Sequence, residues 1–108
     1  MKVEKSWGYY EDIFRNDNLV IKNLVIFPNQ KISYQKHSFR EEHWIVIKGQ
    51  GLLCLNNDIQ DIKEQTNFKV NKGDWHQVKN NFDINLECIE VQSGVCYEED
   101  IERKEDKI

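Results

Sequence analysis

Gln35, His37, Glu42 and His76 carry the side chains whose types and spacing could hold a cation in this 108-residue chain. Two imidazoles, a carboxylate and an amide oxygen make a mixed nitrogen and oxygen donor set. Such a set suits one divalent ion of Zn, Mn, Co, Ni or Fe rather than a soft copper site. Gln35 and His37 stand at i and i+2, so on a strand they point to one face. Glu42 follows as the next strand opens, and the glycine turn of Gly73-Asp74-Trp75-His76 can aim the last imidazole back across the fold. Taken singly, His37 and His76 read more readily as hydrogen-bonded core histidines, and Glu42 as a surface carboxylate. Gln35 is the weakest donor, since an amide serves equally well as a hydrogen-bond partner. His43 faces away from Glu42 on an extended strand and is assigned a structural place.

Strands must position these groups, because helical periodicity is almost absent. Leu19 to Phe27 is rich in Val, Ile and Leu and stops at Pro28-Asn29, while Trp44 to Ile47 stops at Gly49-Gln50-Gly51. Leu52 to Leu55 runs into Asn56-Asn57-Asp58, and Phe68-Lys69-Val70 runs into Asn71-Lys72-Gly73. Val78 precedes Asn80-Asn81, and Ile84 to Gln92 follows. Short strands punctuated this often predict an all-β sandwich or barrel. One domain over residues 1–108 is expected, without internal repeat or linker. The charged segment Tyr97 to Ile108 is compatible with a helical turn around Ile101 or an extended path over the barrel.

Composition narrows the partners. Fifteen Lys+Arg against 19 Asp+Glu give a formal charge of −4, without the cationic footprint that phosphate backbones require, so no nucleic acid is expected. The longest apolar runs, Leu24 to Phe27 and Trp44 to Ile47, fall far below the roughly 18 to 20 residues of a membrane-spanning helix. The N-terminus shows no apolar signal core, so a cytoplasmic location is expected. Cys54, Cys88 and Cys96 are odd in number and form no Cys-x-x-Cys pair, which suits buried, reduced thiols.

The spacing Asn29-x5-Gln35-x-His37-x4-Glu42-x6-Gly49 resembles the first motif of the cupins, with Asn for its leading Gly and Gln for its first His. Val70-x-Lys72-Gly73-x2-His76-x3-Asn80 resembles the second, with the metal histidine in register. Two motifs in order imply a double-stranded β-helix, the jelly-roll-like cupin barrel, and shift the balance for His37 and His76 toward metal binding.

A narrower resemblance covers nearly the whole chain: Ser6-Trp7-Gly8-Tyr9-Tyr10, Ile32 to Gln35, Arg40 to Trp44, Ile89 to Gly94, and Glu99-Asp100-Ile101 with Arg103. These look like the type II phosphomannose isomerase domain, the cupin half of bifunctional mannose-1-phosphate guanylyltransferase/mannose-6-phosphate isomerases. The resemblance implies a free-standing isomerase domain without guanylyl transfer. Its histidine run is replaced here by His37-Ser38-Phe39, which leaves the four ligands intact. Its aromatic-Gly-Arg ending is absent, which removes a basic residue of use to a phosphate.

The implied reaction interconverts mannose 6-phosphate and fructose 6-phosphate through an enediolate that a divalent cation stabilises. The acid–base group is expected among Glu90, if the strand from Leu86 turns its even positions inward, and Lys36, Glu41 or His43 at the rim, with Arg40 as a further catalytic candidate. Arg40, Arg103 and Lys31 are the expected phosphate donors, and Gln92 a substrate contact. Trp7, Tyr9 and Tyr10 are expected to pack a barrel end, and Trp44 and Trp75 the core beside the metal. Sheet edges and an apolar outer face predict a homodimer. The competing readings are a non-catalytic sugar- or metal-binding cupin and another cupin enzyme such as an epimerase.

Overall fold

Alternating burial along the strands sets the architecture. In β5 (Arg40–Lys48) residues 40, 42, 44 and 46 are buried while His43, Ile45 and Ile47 are exposed. In β10 (Leu86–Gly94) the even residues 86 to 92 are buried. A computed structural model describing residues 1–108 arranges eleven such strands in two antiparallel sheets, with no helix. One sheet runs β1 (Lys2–Lys5), β2 (Gly8–Arg15), β3 (Leu19–Ile26), β10, β5 and β8 (Asn67–Val70). The other runs β11 (Glu102–Lys104), β4 (Tyr34–Lys36), β9 (His76–Lys79), β6 (Gln50–Leu55) and β7 (Asp58–Lys63). Their inner faces enclose Leu24, Ile26, Val46, Leu53, Val78 and Leu86, among other buried apolar side chains.

Register converts this core into a site. Across the six-stranded sheet Leu24, Cys88 and Val46 stand in one apolar row. The next inward row is Lys22, Glu90 and Trp44, and the one beyond it is Val20, Gln92 and Glu42. Each of the three neighbouring strands thus brings a polar side chain onto the inward face within two rows: Lys22, then Glu90 and Gln92, then Glu42. Polar groups buried this way need partners from one another or from a ligand.

Two strands precede Leu19, and β7 follows the Asn56-Asn57 turn; the sequence reading assigned none of the three. Their patterns explain this. β7 is exposed everywhere but Ile62, and β2 mixes half-buried and exposed residues. The β1–β2 turn requires glycine, because a Cβ on Gly8 would lie 1.9 Å from the Val25 carbonyl oxygen. The C-terminal segment takes the extended path: β11 pairs with β4, setting Arg103 opposite Gln35 and Glu102 opposite Lys36.

A candidate metal centre inside the barrel

His37 leaves the end of β4, His76 opens β9 in the same sheet, and Glu42 comes from β5 in the other. The rings of His37 and His76 lie 5.4 Å apart, and one ligand atom from each of the three residues falls within 4.8 Å of the others. Glu42 and His76 are fully buried and His37 is 3% exposed. Glu42 Oε2 is 3.2 Å from His37 Nε2, and its Oε1 is 3.4 Å from His76 Nε2.

Each imidazole is oriented from behind. His37 Nδ1 lies 2.6 Å from the Asp100 carbonyl oxygen and His76 Nδ1 3.2 Å from that of Asp74. A carbonyl only accepts, so each Nδ1 carries the proton and each Nε2 presents its lone pair inward. Burial lowers the pKa of His37, with Arg40 adding to the effect and Glu42 opposing it, which favours the neutral ring a metal requires. Burial alone would raise the pKa of Glu42. His76, Glu90 and His37 outweigh it and hold this carboxyl well below the usual range. Trp44 Nε1 donates to Glu42 Oε1 at 2.9 Å.

His76 Nε2 is the orphan of the cluster: it is buried and has no hydrogen-bond partner. Glu42 Oε1 lies 3.4 Å from it, and with the ring proton on Nδ1 neither atom has a hydrogen to donate to the other. A buried lone pair facing a carboxylate and a second imidazole fits a small divalent cation, and these residues are suited to hold one.

Arg40 lies beside them, 6% exposed. Its Nε donates to Glu42 Oε2 at 3.1 Å, Nη2 donates to His37 Nε2 at 3.2 Å and lies 3.0 Å from Glu42 Oε2 as an ion pair, and Nη1 donates to the Tyr97 carbonyl oxygen at 3.4 Å. The guanidinium is therefore turned inward onto the ligand cluster, not held at the rim as a free phosphate donor.

A cavity of about 470 Å³ opens above the cluster, and Gln35, His37, Arg40, Trp44, Glu90 and Gln92 are among its lining residues. Glu90 points inward as the even-position condition requires. Burial and the facing Glu42 push its pKa well above the usual carboxylate range. Gln92 Nε2 donates to Glu90 Oε1 at 3.1 Å. Gln35 faces the cavity from β4, where its Oε1 accepts from Ser33 Oγ at 3.0 Å. Arg103 and Lys31 also line the cavity. Arg103 Nε donates to Ser33 Oγ at 3.3 Å, and Lys31 pairs with Asp106 at 3.2 Å.

Several expected roles are corrected. Lys36 alternates with Gln35 and His37 and so faces outward, where it pairs with Glu102 at 3.3 Å and lies over the Trp75 ring. Glu41 pairs with Lys69 at 3.6 Å on the outer face, and His43 is exposed. Trp75 packs against Tyr34 under Lys104, away from the cavity, whereas Trp44 is buried at the cluster. Two residues near the site went unassigned. Lys22 lines the cavity with a buried ammonium paired to Glu98 at 3.2 Å. A lysine between Val20 and Leu24 in an alternating strand was the available signal. Asp100, which orients His37, gave no local signal of that role.

Residues 1–106 match the family model described as mannose-6-phosphate isomerase C-terminal. A mannose-1-phosphate guanylyltransferase of Escherichia coli K12 is 33% identical over 99 residues, covering 92% of this chain and 21% of the relative. The xanthan biosynthesis protein XanB of Xanthomonas campestris is 35% identical over 106 residues, covering 97% and 23%. The chain thus spans about a fifth of the length of these relatives. Among solved structures, a protein with a double-stranded β-helix domain from Klebsiella pneumoniae superposes with a TM-score of 0.83 at 15% identity, covering 96% of this chain and 90% of the other. That likeness establishes the double-stranded β-helix expected from the motifs.

Proposed function

The chain belongs to the mannose-6-phosphate isomerase C-terminal family, a cupin family, and from that premise we propose that it is a metal-dependent isomerase interconverting mannose 6-phosphate and fructose 6-phosphate. The observation that carries the reading is the convergence of His37, Glu42 and His76 beneath a cavity sized for a small molecule.

His37, Glu42 and His76 would hold a divalent ion, which would supply Lewis-acid stabilisation of the negative charge that develops on the sugar as a proton leaves carbon. His37 and His76 keep their lone pairs inward through their carbonyl partners, and Glu42 contributes the balancing charge. Gln35 offers an amide oxygen from the same face as His37. Glu90 is the acid–base group. Its carboxylate form would take the proton from one carbon, and the raised pKa favours holding that proton until it is returned to the other. Gln92 orients that carboxyl. Arg103 and Lys31, with the Ser33 hydroxyl between Arg103 and Gln35, form the cationic side of the cavity suited to phosphate.

The test follows mannose 6-phosphate conversion in protein stripped by a chelator and then resupplied with Mn²⁺, Co²⁺ or Zn²⁺. Loss and recovery of turnover are expected. Tight metal binding with no turnover of either sugar phosphate would overturn the isomerase and leave a binding module.

A further inference from the structure

Arg40 and a bound cation need the same lone pair. His37 Nδ1 faces the Asp100 carbonyl and carries the ring proton, so Nε2 has a single lone pair to offer. Arg40 Nη2 already takes it at 3.2 Å, while also lying 3.0 Å from Glu42 Oε2. The opposite half of the cluster is free of this contact, since His76 Nε2 has no hydrogen-bond partner. Glu42 divides its two oxygens accordingly, Oε1 toward His76 and Trp44, Oε2 toward His37 and Arg40.

We propose that the Arg40 guanidinium is an internal counter-cation that satisfies His37 and Glu42 until a divalent ion displaces it from His37. This rests on the metal reading above and adds what that reading leaves open, the fate of the arginine. His76 and Glu42 Oε1 form the half-site a cation meets first, and capture by His37 then breaks the Nη2 bond. A buried ammonium or guanidinium without a partner is costly, so the freed donors must find an acceptor. Arg40 lines the cavity and can turn its donors to an anionic ligand there, in the planar geometry that favours phosphate or a deprotonated sugar oxygen. Metal and anionic ligand then bind cooperatively, and each must raise the affinity for the other by the same factor.

The sign of the effect is the test. Removing a side chain that merely supports the ligands weakens metal binding, whereas removing a competitor tightens it. Zn²⁺ titrations by calorimetry at pH 7.5 on wild type and Arg40→Met are expected to show tighter binding in the variant by about tenfold or more, since charge-assisted bonds no longer have to be broken. The metal-free variant is expected to melt below metal-free wild type, because Glu42 has lost its counter-charge. Nuclear magnetic resonance of the arginine Nε–H groups in wild type provides a check that needs no variant: the Arg40 signal, held by Glu42, shifts on Zn²⁺ addition. Equal or weaker Zn²⁺ binding by Arg40→Met, or Zn²⁺ binding that leaves the Arg40 signal unmoved, overturns the exchange alone. Failure of both proteins to bind Zn²⁺, Mn²⁺ or Co²⁺ overturns the exchange and the metal reading together.

Discussion

His37 and Asp100, 63 positions apart in the chain, meet at 2.6 Å between an imidazole Nδ1 and a backbone carbonyl. The Asp100 carboxylate secures this contact by accepting from the backbone N–H groups of Ser38 and Phe39, each at 2.8 Å. One residue of the C-terminal segment thus holds both the ring and the turn that carries it. Replacing Asp100 by Ala is expected to weaken Zn²⁺ affinity by about 10- to 100-fold, the usual range for loss of a group that orients a ligand. Asn, which keeps one acceptor, is expected to fall between. Calorimetric titration checks this, with circular dichroism confirming that the sheets persist.

Glu90→Gln removes the ionisable carboxyl and preserves its shape. Turnover of mannose 6-phosphate is expected to fall by about 10² to 10⁴ while Zn²⁺ affinity stays within a few-fold of wild type. Unchanged turnover would place the acid–base role elsewhere.

Glu98 gives a dependence on pH whose sign can be worked out. Partial burial raises its pKa, but Lys22 and Arg15 outweigh that and hold the carboxyl below its ordinary value of 4.5. A depressed native pKa stabilises the fold above the unfolded value, and the contribution disappears as pH falls through the native one. Glu98→Gln is therefore expected to melt below wild type at pH 7 and to converge with it in acid once the pH falls below the depressed native pKa. The side chain is 55% exposed, so the gap is small and shrinks with added salt. Thermal melts across pH at two ionic strengths measure it.

Leu53 is fully buried in the apolar core shared by the sheets. Leu53→Ala is expected to cost about 2–5 kcal/mol through lost transfer energy and a residual cavity. Urea titration reads the change.

The thiols order themselves by burial. Cys88 is pushed up to about 12, first by burial and then by Glu90 and Glu87, whereas Cys96 is half-buried. Iodoacetamide at pH 8 is expected to label Cys96 in the folded protein, and Cys54 and Cys88 only after denaturation. Peptide mass spectrometry reads the sites.

The meeting of His37, Glu42 and His76 was legible because it depends on local rules. The i, i+2 spacing of Gln35 and His37 needs only a strand, and the turn at Gly73 needs only its glycine. The inward turn of Glu90 likewise follows from alternation with Leu86 and Cys88. Applied consistently, that alternation also places Lys36 outside, between two inward neighbours, and its assignment to catalysis departed from the rule. β1, β2 and β7 were hidden because none of them buries enough of one face to show a period. The partners of Arg40 and the carbonyl of Asp100 were hidden for a different reason. Which backbone atom lies behind a ring depends on how distant segments pack, and no spacing encodes it.

The three candidate donors hang from different layers, His37 and His76 from the five-stranded sheet and Glu42 from the six-stranded one. On the metal reading proposed above, an ion seated among them would tie the two layers together, and the metal-free protein would be expected to loosen first where they meet.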